Sequence, residues 1–167
     1  MVDDTLTLKS YIEMIIPKLS AACFAVRAIK PFVMLDTSKM VYHLYFHSVI
    51  NYKIIFWWNS SCNNSIFKLH KRIIRIVMGV RIRDSCQWFF KILNILPLIP
   101  QYIFSLLLFV VNNEKQFWMN SEIHNSNTRN NSYFYQPLSH LAVYHKGPFY
   151  MGIEVYNSLS PEIKDLS

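Results

Sequence analysis

The sequence predicts a mainly α-helical fold: a small bundle of about five to six helices, a polar Asn-rich linker and a short C-terminal helical tail. Three observations predict it. Apolar residues recur at helical spacing over several long stretches. Lys68, Arg72 and Arg75 hold a separate face at i, i+4, i+7. Only three glycines occur in 167 residues, too few for the positive-φ turns of a hairpin-rich β-sandwich.

In chain order, Asp4 and Thr5 are cap residues for a first helix that places Leu8, Ile12, Ile15, Ile16, Leu19, Cys23 and Val26 on one side. Pro17 should kink or restart it, and Pro31 should end it. Asp36, Thr37 and Ser38 offer caps for a second helix running to Ile50 or beyond. The run Ile54-Ile55-Phe56-Trp57-Trp58 reads either as a strand or as the buried end of that helix, and periodicity leaves both open. NSSCNN (59–64) is a polar turn. A third helix covers 65–78, with Ile66, Leu69, Ile73, Ile76 and Val77 on its apolar face and Gly79 as its stop. A fourth opens at Asp84 or Ser85 and runs to Leu93; a fifth covers 100–111, with Pro100 in its first turn. Residues 112–137 turn polar and Asn-rich, the mark of a linker or long surface loop. Residues 147–163 read as a short aromatic helix followed by a helix start or turn at Ser160-Pro161-Glu162. The expected division is therefore a helical domain at 1–111, a linker at 112–137 and a helical tail at 138–167.

Composition narrows the function classes. At 52% hydrophobic and 16% aromatic the chain can bury a core. A formal charge of +7 makes a polyanion a natural partner class, although charge alone names none. Cys23, Cys62 and Cys86 are widely spaced with no CxxC pair, which suits reduced intracellular thiols, nuclear or cytoplasmic, rather than a secreted disulfide scaffold. The acidic start, Met1-Val2-Asp3-Asp4, lacks the basic and apolar regions of a signal peptide, so secretion is not expected. The apolar stretch 95–111 is shorter than the roughly 20 residues of a spanning helix and is interrupted by Pro97, Pro100 and Gln101, so a buried helix is the better reading.

Several constellations invite a chemical reading. Asp3 and Asp4 look like a polymerase carboxylate pair, but two-metal chemistry needs carboxylates from separate strands of a palm; here they precede a helix, where Asp is a good cap. His43 and His47 stand at i, i+4 without a neighbouring Glu or a third ligand, so ordinary helix-face histidines are expected. Cys62, His70 and Cys86 have no recognised ligand spacing, and nothing pairs a histidine with a cysteine nucleophile. The informative cluster is Lys68, Lys71, Arg72, Arg75, Arg81, Arg83 and Lys91 against the single Asp84. Such a helical hairpin can neutralise phosphates without reading sequence, or can be a solvated helix face. Trp88, Phe89 and Phe90 could stack on bases, but at that spacing belong to the core. No Gly-rich phosphate loop and no dinucleotide fingerprint is present.

The order of the blocks adds a resemblance. VDDTLTLKSYIEMIIPKLSAACFAVRAIKPFV, YHLYFHSVINYKIIFWWNS, LHKRIIRIVMG, RDSCQWFFKILNILPL, NTRN (127–130) and KGPFYMGIEVYNSLSPEIKDL resemble, in that order, the region C-terminal to the palm of reverse transcriptases of jockey-like non-LTR retrotransposons, especially insect ones. The resemblance implies thumb and post-thumb helices that grip a template-primer, with RNA or RNA–DNA duplex as partner, and makes Lys68, Lys71, Arg72, Arg75, Arg81 and Arg83 the backbone contacts, with Lys91 on the same cationic hairpin. It places the fingers, the palm with its catalytic aspartates and Mg²⁺, and any endonuclease upstream of these blocks. No catalytic residue, metal site, cofactor or small-molecule substrate is then expected in this stretch, and no polymerisation by it alone. The sequence departs from the family pattern at Leu8 (usually Trp), Tyr11 (His), Lys53 and Trp58 (Gly), Gln87 (Arg) and Ser160 (Pro). A bulky residue in place of glycine predicts a positive-φ cost at Lys53 and Trp58. Two other classes fit composition: a helical protein-interaction module using its aromatic surface, and a membrane-associated protein anchored by residues 99–111.

Overall fold

Helix α1 (Leu8–Ile29) is long because its apolar residues keep a single face for six turns. Ile12, Ile15, Leu19, Ala22, Cys23 and Val26 step by three and four and are all buried. The helix does not restart at Pro17: it runs through the residue as one element, and the ring lies on the exposed side, away from the packed face. A 3-10 turn at Lys30–Phe32, with Pro31 in its first turn, then ends the rod.

The computed structural model describes residues 8–59, 63–124 and 131–164. The Asp3–Asp4 pair, the Asp4 and Thr5 caps, Cys62 and the 127–130 block lie outside the described residues. Among the described residues the fold is mainly helical, as expected, and no strand forms; six α-helices reach seven residues or more, joined by one-turn helices that periodicity did not foresee. The chain divides into two units, Met1–Gln101 and Tyr102–Ser167.

In the first unit α1 lies alongside α5 (Asn63–Met78), introduced below, and the two run in the same direction. The Cys23 thiol donates to the Leu69 carbonyl at 3.9 Å, and the Lys30 side chain approaches Gly79 further on. The second rod is continuous but not uniform: α2 (Leu35–Val41), a π turn (Tyr42–His47) and α3 (Ser48–Asn51) follow without a break. The π turn brings Tyr42 and Phe46 fully into the core. Ile54–Trp57 is a one-turn helix, α4, which decides between strand and helix in that run. It starts on Lys53, held in the left-handed region at φ 57°, the positive-φ cost predicted for a bulky side chain there. Trp58 takes an ordinary right-handed conformation, so no such cost arises there.

Helix α5 buries Ile66, His70, Ile73, Ile74 and Val77. Gly79, at φ 72°, closes it: its amide donates to the Ile76 carbonyl and that of Val80 to Arg75, satisfying carbonyls the last turn would leave open. Helix α6 (Gln87–Leu93) ends the same way on a left-handed Asn94, with the Ile95 amide donating to Phe90. It opens at Gln87 rather than at Asp84 or Ser85, because the Asp84 carboxylate is turned back onto the Arg81 amide at 2.9 Å and closes the loop instead of capping the helix. Helix α7 (Leu98–Asn112) begins with Pro100 in its first turn.

The second unit is built differently. Val110, Phe117, Phe134 and Ile153 form its buried cluster, with Phe109, Phe149 and Tyr156 packed on it. Phe117 and Phe149 stack with centroids 4.5 Å apart. The polar composition of 112–137 marks a linker, yet Phe117 and Phe134 anchor the stretch into this core. A 3-10 turn (Glu114–Gln116) and a one-turn helix, α8 (Asn120–Ile123), carry it, and an antiparallel bridge joins Met119 to Phe134. After α9 (Ala142–His145), helix α10 (Pro148–Asn157) lays Gly152 against α7, and α11 (Pro161–Lys164) follows. The Asn157 side chain accepts from the Phe134 amide at 3.0 Å and donates to its carbonyl at 2.9 Å, replacing the partner that a neighbouring strand would supply. The division of the chain falls between Gln101 and Tyr102, within the α7 segment; composition follows polarity along the chain, whereas packing follows which side chains reach the aromatic cluster.

Among the described residues no single helix is long and apolar enough to cross a membrane. Only the α6–α7 pair, interrupted between Asn94 and Pro97, passes on length and composition.

Candidate nucleic-acid interface

The geometry of α5 follows from its two stripes. With Ile66, His70, Ile73, Ile74 and Val77 committed to the core, Lys68, Lys71, Arg72 and Arg75 are left on the opposite arc. Together they line a cleft of about 450 Å³, whose wall is completed by Ile76, Val80 and Ile82 and by Arg27 from α1. Arg27 escapes sequence reasoning: on its own helix the nearest cation is Lys18, more than two turns away, and only the parallel packing of α1 on α5 brings it to the others. Among the described residues no carboxylate lines the cleft.

The seven cations singled out from sequence are not one face. Lys68, Lys71, Arg72 and Arg75 share the cleft; Arg81 and Arg83 are exposed in the loop between α5 and α6. Lys91 sits apart, in a second depression with Phe90, Asn94, Ile95 and Pro97. Two of the cleft cations are held in place. The Lys71 ammonium lies 4.1 Å from the centre of the Phe67 ring, and Arg75 Nε donates to the Asp84 carbonyl at 2.9 Å. That bond uses one guanidinium donor of five and ties the loop to the helix. Of the three aromatics on α6, Phe90 is core and Phe89 half-buried, but Trp88 is exposed, contrary to the core assignment.

Two cysteines lie beside these cations without gaining reactivity. Burial pushes the Cys23 thiol up to about 11, outweighing the nearby Arg72 and Arg27. It also raises Cys86, despite Arg75 and Lys71. Both thiols therefore stay protonated at neutral pH, the reverse of what a nucleophile needs.

Behind the cationic arc, His70 is enclosed by Tyr42, Phe46 and Phe90, with the Tyr42 ring stacked on it at 5.9 Å. A hydrogen bond of 2.9 Å links the Tyr42 hydroxyl to His70 Nε2, while Nδ1 is buried with no partner. Desolvation holds the imidazole down to about 3, with His47 adding in the same direction, so His70 is a neutral core residue. His43 and His47 do face each other, with rings 5.2 Å apart. Among the described residues, however, no three His, Cys, Asp or Glu side chains are grouped so that they could hold a metal ion.

Chemically, the cleft offers fixed positive charge beside aliphatic surface. Comparison of the chain with family models, with curated proteins and with solved structures finds no match.

Proposed function

We propose that this chain is the thumb and post-thumb stretch, C-terminal to the palm, of a jockey-like non-LTR retrotransposon reverse transcriptase, and that it grips template-primer nucleic acid, RNA or RNA–DNA duplex, without reading sequence. The observation that carries the binding role is the convergence of Arg27, Lys68, Lys71, Arg72 and Arg75 on one cleft that, among the described residues, no carboxylate lines. Like charges held this close repel, and a polyanion that neutralises them relieves the repulsion and releases its own counterions. Lys53 lends the family origin support: it takes the left-handed conformation where the family usually has glycine. In this reading nucleotide addition belongs to the palm, whose carboxylates would hold Mg²⁺, and these helices contribute grip alone.

The test is binding of an RNA–DNA duplex across a range of salt. Reversing two cleft charges, Arg72→Glu with Arg75→Glu, should lower affinity on the order of a hundredfold and reduce the salt slope by about two. Unchanged affinity and slope would sink the assignment. One observation favours a second reading, a helical protein-interaction module. The first unit leaves Phe32 and Met34 at 87% and 82% exposure, with Phe24, Met40 and Leu44 also exposed. A protein partner held by these side chains would bind with little dependence on salt.

A further inference from the structure

The cleft on α5 is more than a charged surface, because its two kinds of lining ask for a ligand with two kinds of surface. Five cations supply one part. Ile76, Val80 and Ile82 supply the other, and Ile82 remains 79% exposed in the loop after the helix, where a polar residue would cost nothing. At about 450 Å³ the space has the size of a small-ligand site. An uninterrupted duplex uses only half of this. Its bases are stacked inside, so what it presents to a protein's cations is phosphate and sugar. A nucleotide freed from the stack presents both a phosphate and a flat apolar face, and protein sites for such bases hold them against aromatic or apolar side chains.

We infer that the cleft seats one unpaired nucleotide, at a strand end or in a single-stranded stretch, with its phosphates among the five cations and its base against Ile76, Val80 and Ile82. This rests on the reading of the same cleft as a nucleic-acid site. It assigns the preferred partner, a duplex with an unpaired extension rather than a blunt one. Phosphates confer salt dependence, and the base confers the preference for a free end.

The experiment compares the full chain on a blunt RNA–DNA duplex and on the same duplex with a short unpaired extension, by fluorescence anisotropy at matched salt. The extension should tighten binding about tenfold, the scale of one stacked base. Ile82→Ser, a change on the exposed surface, should bring the ratio of extended-duplex to blunt-duplex affinity close to one. Equal binding of the two duplexes would overturn the nucleotide seat and leave duplex gripping intact. An extension preference that survives in Ile82→Ser would also overturn it. Loss of salt-dependent binding to both substrates would instead overturn the nucleic-acid reading itself. Vesicles of phosphatidylcholine and phosphatidylserine that displace the extended duplex would assign the cleft to a lipid phosphate with its acyl chain, and would equally overturn the inference.

Discussion

The two units of this chain solve the problem of a core by different means, and they carry charge differently. Unit Met1–Gln101 packs long amphipathic helices, and holds 13 Lys and Arg against 5 Asp and Glu, a balance of +8. Unit Tyr102–Ser167 gathers aromatic side chains from short turns and two helices, and holds 4 against 5, a balance of −1. Periodic helices leave one face over for function, and α5 uses its spare face for cations. The second unit's rings are spent on its cluster, and among the described residues one of its depressions is lined by Trp118, Tyr135 and Phe149 with Glu122 rather than by cations. Where a small core is concentrated in a few rings, each ring matters more to stability and less to binding.

The contrast can be broken most directly at Phe117, the centre of the aromatic cluster. Phe117→Ala should cost about 3–5 kcal/mol of the second unit's stability, read by denaturant titration. Salt-dependent nucleic-acid binding should survive it, since the cations lie in the other unit; a parallel loss of binding would show that the charge division does not describe function. Next in size is Gly152→Ala. Its Cβ would lie 2.8 Å from Val110 Cγ2, closer than side chains tolerate, and should cost about 1–3 kcal/mol as α10 is pushed from α7. A neutral result would mean that the second core is loosely packed.

The first unit has its own test in His70. Its folded-state value of about 3 lies below the ordinary 6.5, so below pH 6.5 the unfolded chain takes up a proton that the folded chain refuses. The stability contribution is therefore complete above pH 6.5 and declines as pH falls towards 3, with a slope approaching about 1.4 kcal/mol per pH unit. In His70→Phe, set among Tyr42, Phe46 and Phe90, urea midpoints at pH 7 and pH 5 should draw together; an unaltered gap would place the pH dependence elsewhere. The smallest effect is expected at Lys53, where glycine removes the left-handed penalty on a side chain. Lys53→Gly should raise the midpoint by up to about 1 kcal/mol, and a fall would show that the Lys53–Tyr52 ring contact at 5.2 Å outweighs the backbone cost.

Much of the first unit was legible before any coordinates. The α5 stripe, its Gly79 stop and the four cations Lys68, Lys71, Arg72 and Arg75 on one arc all follow from a 3.6-residue period, a local rule that the backbone obeys wherever the helix packs. The apolar face of α1 follows in the same way, whereas the passage of that helix through Pro17 does not, because exposure of the ring depends on what lies alongside. Asp84 was misplaced as a helix cap because two local partners competed for one carboxylate, and the Arg81 amide won.

What the sequence by itself determined is therefore the helical class, the cationic arc and the buried stripes, since each depends on neighbours within a few residues along the chain. Only the tertiary structure decided that Arg27 joins the cleft while Lys91 leaves it, that Ile76, Val80 and Ile82 give it an apolar wall, and that Phe117 and Phe134 turn a polar stretch into part of a core. Those outcomes hang on contacts between residues tens of positions apart. Their closure is set by how whole helices and rings pack, and nothing in local spacing encodes it.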